Sequence, residues 1–250
     1  MLKKIRRLGT YEVIAFLGLL VIGVGFWTQA LSATSAAPLI LSSFLSTFCG
    51  ASYAFQLNVN REASKKREDQ RASLQLALFT MARQYNALVN LALAVNGWQK
   101  RGDRAINMPA LQLPPYEDLK LNFEGLTFLL ETSEPMLLLE LTVEQERFVQ
   151  TMTAADTRNK FHVDEVQPAI ETSKVNKKSM TLNEMQTALG ERVFGTIENQ
   201  TAELFNHLSL TLKSLPIVAK KIFDLAKTEF PDEKFVKVQF LTLDEIEKKS

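Results

Sequence analysis

One cysteine and two histidines in 250 residues leave little for redox or metal chemistry to work with. The lone thiol, Cys49, excludes an intrachain disulfide framework and a paired-thiolate zinc site. Charge of one sign is missing as well. Lys and Arg total 29 against 28 Asp and Glu, a net charge of +1, so no direct nucleic-acid binding and no acidic substrate are expected. Glycine, at 10 residues, never clusters into a phosphate-cradling loop, and neither an HExxH pair nor a nucleophile elbow occurs. No catalytic residue, no metal ligand and no cofactor is therefore assigned, and an enzyme is not expected.

What is present is a strong segregation of charge. Lys3, Lys4, Arg6 and Arg7 open the chain, almost no charge follows, and it returns at once in "REASKKREDQR", Arg61 to Arg71. Between these blocks lie two apolar runs. Tyr11 to Leu31 is 21 residues long with Glu12 at its edge; at ~1.5 Å per residue it reaches ~31 Å, the thickness of a bilayer core. Leu39 to Leu57 repeats this with 19 residues. The uncharged "SATSAAP" joins them. Basic residues flank both outer ends, so both termini are expected in the cytoplasm, with Tyr11, Trp27 and Tyr53 as interfacial anchors. Two other readings, a cleaved signal peptide and a buried hairpin of a soluble protein, fit less well. The first run exceeds the usual ~7–15 residues of a signal core, and a second follows immediately.

The second run is apolar yet holds five hydroxyl residues besides its tyrosine in "SSFLSTFCGASYAF". At helical spacing Ser42, Ser46, Gly50 and Ala54 form one stripe, and Ser43, Thr47 and Ala51 a second beside it. Leu41, Phe44, Phe48 and Phe55 gather opposite. Small residues four apart let helix backbones approach closely, and hydroxyls can bond across such a contact. This half-cylinder is the candidate association face, opposed by Gly18, Gly23 and Gly25 of the first run or by further copies of the chain. Apart from Glu12 at the edge, neither run holds Asp, Glu, Lys, Arg or His, which disfavours an ion-coupled transporter.

Beyond the charged block, which is expected to continue the second helix and to meet anionic headgroups, the pattern changes to heptads. Leu74, Leu78, Met81, Tyr85, Leu88, Ala92 and Val95 step by fours and threes, an a/d seam that Asn96-Gly97 stops. "RGDRAINMPALQLPP" reads as a loop, its RGD triplet as chance. A second helix is predicted from "TSEP", with Ser133 as N-cap and Pro135 in the first turn. Its seam is Leu138, Leu141, Gln145, Phe148, Met152, Ala155, Asn159, His162 and Val166. Gln145 and Asn159 are expected to specify pairing or hold a wet contact. A third helix opens at a Thr181–Glu184 capping box and runs through Leu182, Met185, Leu189, Val193, Ile197, Leu204 and Leu208. A fourth is predicted from Ser214 to Phe230, ending at Pro231. Val236, Val238 and Phe240 alternate like a short edge strand.

His162 and Glu165, beside Asp164 in "FHVDEV", are three apart on a predicted helix. That spacing occurs in carboxylate metal sites of bundles, but no second copy exists here, so register-setting hydrogen bonding is the better reading. His207 is read the same way.

These features compose an all-α chain: an N-terminal two-helix transmembrane hairpin followed by a cytoplasmic antiparallel helical bundle. Its parts are a basic cytoplasmic tail (1–10), a first transmembrane helix (11–31), a short periplasmic turn (32–38), a second transmembrane helix (39–57) and a cytoplasmic helical domain (58–250). The layout resembles the two-span membrane effectors of bacterial antiphage systems, including those encoded beside retrons. That resemblance covers architecture over the whole chain and rests on no residue motif, so it transfers no site residues. It implies an inner-membrane effector whose toxicity a reverse transcriptase–DNA complex restrains until infection. The expected partners are the lipid bilayer, further copies of the chain, and a cytoplasmic protein or nucleoprotein. A membrane-anchored scaffold without pore activity is the alternative; a channel or transporter subunit is a weaker third.

Overall fold

The computed structural model describes residues 37–113, 115–173 and 181–241, together with Gly18 and Gly23. The predicted first transmembrane helix, apart from those two glycines, and the turn at 32–36 lie outside the described residues. The chain divides into two units, Met1–Glu68 and Asp69–Ser250. It is all-α: among the described residues there is no strand.

Helix α1 runs Ala37–Val95. From Leu74 onward the predicted seam is buried throughout, each position under a tenth exposed, because its stepping of fours and threes keeps one face turned to the core. Asn96–Trp98 forms a 3-10 turn, and the connector that follows contains a short helix α2, Arg104–Asn107. The RGD triplet closes on itself: Arg101 pairs with Asp103 at 2.6 Å and lies 4.4 Å over the Trp98 ring. A 3-10 segment, Glu124–Glu131, buries Leu126 and Leu129. It approaches α1 so closely that a Cβ on Gly125 would sit 2.6 Å from Ser73 Oγ.

Helix α3, Met136–Phe161, starts later than predicted. Ser133 does not cap it. The first turn has no side-chain cap, and Leu137 rather than Leu138 is the fully buried leucine there. A π-helical turn, His162–Val166, leads into α4, Gln167–Thr172. The Thr181–Glu184 capping box is present, Thr181 N donating to Glu184 Oε2 at 2.8 Å, and opens α5, Leu182–Leu189. Gly190, at φ 77 and ψ 151, divides α5 from α6, Glu191–Glu229. A side chain at that angle pair is strained, which is why a glycine stands there.

Helix α6 departs from the pattern expected of the sequence. The predicted third helix is divided at Gly190, and its later part, from Glu191, is continuous with the predicted fourth in one helix that has Pro216 inside it. Leu204, Leu208, Leu212, Leu215, Val218, Ile222 and Leu225 form a continuous buried line facing α3, and this packing outweighs the lost hydrogen bond of the proline. The Ser214 hydroxyl, expected at a helix start, instead donates to Glu144 Oε2 at 2.7 Å. Substituting Pro216→Ala restores an N–H without disturbing that line. We expect ~1–3 kcal/mol of added stability in urea denaturation, since proline costs ~3 kcal/mol in a helix interior; a loss would show that the ring itself is packed.

Helices α3 and α6 are antiparallel. Glu140 meets Lys221 (2.6 Å), Glu144 meets Ser214 (2.7 Å) and Thr151 meets Thr211 (3.0 Å), the indices running in opposite directions. The helical-bundle expectation therefore holds for this unit. The predicted edge strand does not. Residues 235–241 have no regular structure; with no strand beside them among the described residues, the segment is held by side chains. Phe240 packs edge-on against Tyr85 at 4.8 Å, Tyr85 Oη donates to the Leu241 carbonyl, and Gln75 Oε1 accepts from Val236 N at 3.4 Å.

Candidate functional site

The candidate association face lies on the first part of α1. Ser43, Ser46, Thr47, Gly50, Ala51 and Ala54 are all exposed; Ser42 is in the helix, its side chain outside the described residues. The hydroxyls differ from expectation in one respect. Ser46 Oγ and Thr47 Oγ1 both donate to the Ser43 carbonyl, at 3.0 and 2.8 Å, rather than being held for a neighbouring helix. Bonding to the carbonyl three or four residues back satisfies the hydroxyl proton within the helix. The face thereby presents small size with little polar demand, so shape can dominate what associates with it. No described atom lies within 4 Å of a Cβ built on Gly50, or on Gly18 or Gly23. The opposite flank exposes Phe44, Phe48 and Phe55, each more than 60 % accessible. Cys49 is a free, half-buried thiol. Among the described residues no helix is long and apolar enough to cross a membrane. The charged block from Arg61 to Asp69 is exposed throughout.

A second polar system lies inside the helical unit and holds the connector against α3. Gln145, a seam residue, accepts from Leu121 N (2.9 Å) and from Gln84 Nε2 (2.9 Å), while Gln84 Nε2 also donates to the Leu119 carbonyl (2.8 Å). Asn159 pairs with the Leu111 backbone in both directions, at 2.9 and 2.8 Å, as a neighbouring strand would. Both are thus pairing residues, and what they pair with is the connector backbone. Arg158 is not among the residues that sequence reasoning singles out. It is fully buried, donating to the carbonyls of Pro109 (2.8 Å), Ala105 (3.2 Å) and Met108, and among the described residues no carboxylate pairs with it. Burial pushes its guanidinium down to about 10, so it remains a cation at neutral pH. Its position three after Ala155 is the available signal, because an a/d seam can continue by three or by four. Glu144, likewise not singled out, is buried between Arg147 (2.7 Å) and Ser214.

The histidine cluster is not brought together. His162 is 5 % exposed, whereas Asp164 and Glu165 are exposed and Glu165 pairs with Arg192 at 3.1 Å. The π-helical turn changes the spacing that would have stacked His162 and Glu165 on one face. Among the described residues the His162 Nδ1 has no hydrogen-bond partner, so that nitrogen sets no register. His207 is half-buried on α6. Among the described residues no group of three His, Cys, Asp or Glu could hold a metal ion. No family model matches the chain, and searches of curated proteins and of solved structures return no match.

Proposed function

We propose that the chain is a membrane effector: a hairpin of residues 11–31 and 39–57 that permeabilises the inner membrane, controlled through the helical unit by a cytoplasmic protein or nucleoprotein partner. The observation that carries this reading is the exposed small face of α1 from Ser43 to Ala54. Its Ser46 and Thr47 hydroxyl protons are satisfied within the helix, so it suits close packing against copies of itself in lipid. Interhelical hydroxyl bonds average only ~0.6 kcal/mol in membranes, so complementarity of small residues carries most of the association. The exposed phenylalanine flank suits lipid. The basic block Lys65, Lys66, Arg67 and Arg71 suits an anionic inner leaflet, where each cation contributes ~1 kcal/mol. The layout's resemblance to antiphage effectors supplies the setting, in which release from the partner triggers leakage.

The test is induction of the full chain in bacterial cells with dye entry and potassium efflux as readouts. Expression of the wild type is expected to admit dye. The Ser46→Leu/Gly50→Leu double variant, made at equal level in the membrane fraction, is expected to fall to the empty-vector background, because two leucines hold neighbouring backbones apart. Wild-type leakage equal to the empty vector would overturn the reading in favour of a membrane anchor without pore activity.

A further inference from the structure

A cavity of about 400 Å³ opens where α2, the π-helical turn, α4 and α5 meet. Volumes of ~300–1,000 Å³ are those of small-molecule sites. Its walls belong to a core separate from the one that holds α1, built on Ala105, Ile106, Val166, Leu189, Val193 and Ile197. We propose that this cavity is a binding site for a small organic molecule that carries N–H donors on an apolar body and no anionic group.

Three observations converge on it. The first is His162, which lines the cavity, is 5 % exposed and leaves Nδ1 without a partner. A buried polar atom left unpaired costs ~1–3 kcal/mol, a cost that a ligand group can offset. The imidazole is neutral, held down to about 4 by burial and then by the charge of Arg158, so it offers one donor and one acceptor. The second is the π-helical turn that begins at this residue; such turns are rare and concentrate at functional sites. The third is the chemistry of the lining. Asn107 already donates to Asp103 (2.8 Å) and Ser173 to the Ile170 carbonyl (2.8 Å), so each has an oxygen that no described donor occupies. Glu171 adds a carboxylate, and Gln167 an amide with both functions. Ile106, Met185 and Leu189 supply the apolar surface. Among the described residues neither lysine nor arginine lines the cavity, so an anionic ligand would meet Glu171 without a direct cationic partner there.

Three indole probes share one apolar body and differ in charge: indole-3-acetamide is neutral, tryptamine cationic and indole-3-acetate anionic. The full chain in lipid nanodiscs, labelled with ¹⁵N-histidine, has two histidines and so two imidazole signal sets. Saturable shifts of the His162 signals are expected with the acetamide, tryptamine or both, with His207 unmoved. The acetate should bind at least ~10-fold more weakly, the factor that ~1.4 kcal/mol of unpaired charge gives. Ala188→Trp, filling the cavity from α5, should abolish the shift; Ser173→Trp does so from the rim should the first variant not fold. No saturable shift with either donor probe, an acetate as tight as the acetamide, or binding that survives a folded tryptophan variant would each overturn the proposal.

Discussion

Arg158→Met is expected to remove ~3–5 kcal/mol from the stability of the helical unit, read as a lower urea midpoint at unchanged slope. Two effects oppose each other here. Deleting a fully buried cation relieves its desolvation, and buried ionic groups replaced by apolar ones of similar size are often neutral. That outcome requires both partners to go. Among the described residues Arg158 has no carboxylate partner to remove; it donates to the Ala105, Met108 and Pro109 carbonyls, and methionine leaves all three without that donor. A buried acceptor without its bond costs ~1–3 kcal/mol, so three of them exceed the relief. Arg158→Lys keeps the charge but loses the planar fork, and an intermediate loss is expected. A loss below ~1 kcal/mol for the methionine variant would mean that the connector carbonyls find other partners.

The same residue marks where the sequence stops being informative. The buried face of α1 is legible because a seam from Leu74 to Val95 reports its own period, and each of its positions is buried. The capping box at Thr181 and Glu184 is legible because its two bonds are local. Periodicity says which face is covered but not by what. Gln145 and Asn159 have the pattern of helix-pairing residues, yet they hold an irregular connector whose path no period encodes. The predicted break between Leu208 and Ser214 is absent, because the packing of Leu212, Leu215 and Val218 carries α6 through Pro216 against that residue's own preference. The tail reads as a strand from its alternation, but a strand needs an edge to pair with and none of the described elements provides one.

The association face is legible in full as a pattern, since small residues four apart are visible without coordinates. The destination of its hydroxyl protons is not. A serine in a helix can turn to its own backbone or to a neighbour, and sequence does not choose between them. Ser46 and Thr47 take the first course. The cavity beside His162 is illegible for a different reason. It is made by residues from α2, α4 and α5 and by a π-helical turn, a local change of register that propensity does not foretell.

Acidification should destabilise the helical unit through His162 in a window set by its own depressed titration. Burial first, and the Arg158 charge second, hold the imidazole down to about 4 in the folded chain, against ~6.5 for an unhindered histidine. The folded pKa is the lower one, so as pH falls the unfolded chain takes up the proton first. Stability is therefore intact above pH ~6.5 and declines through the interval down to about 4, at up to ~1.4 kcal/mol per pH unit for one proton. Carboxylates contribute acid sensitivity of their own, and the comparison must subtract it. His162→Gln keeps a neutral polar group of similar size and leaves Asp164, Glu165 and Glu171 in place, so those contributions cancel. Between pH 7.5 and 4.5 the wild type is expected to lose ~2–3 kcal/mol more than the glutamine variant in urea denaturation. Arg158→Met should shift the His162 imidazole titration upward, because it removes the second of the two causes. Equal losses for wild type and His162→Gln would refute a buried neutral imidazole, and an unmoved titration in Arg158→Met would assign the whole depression to desolvation.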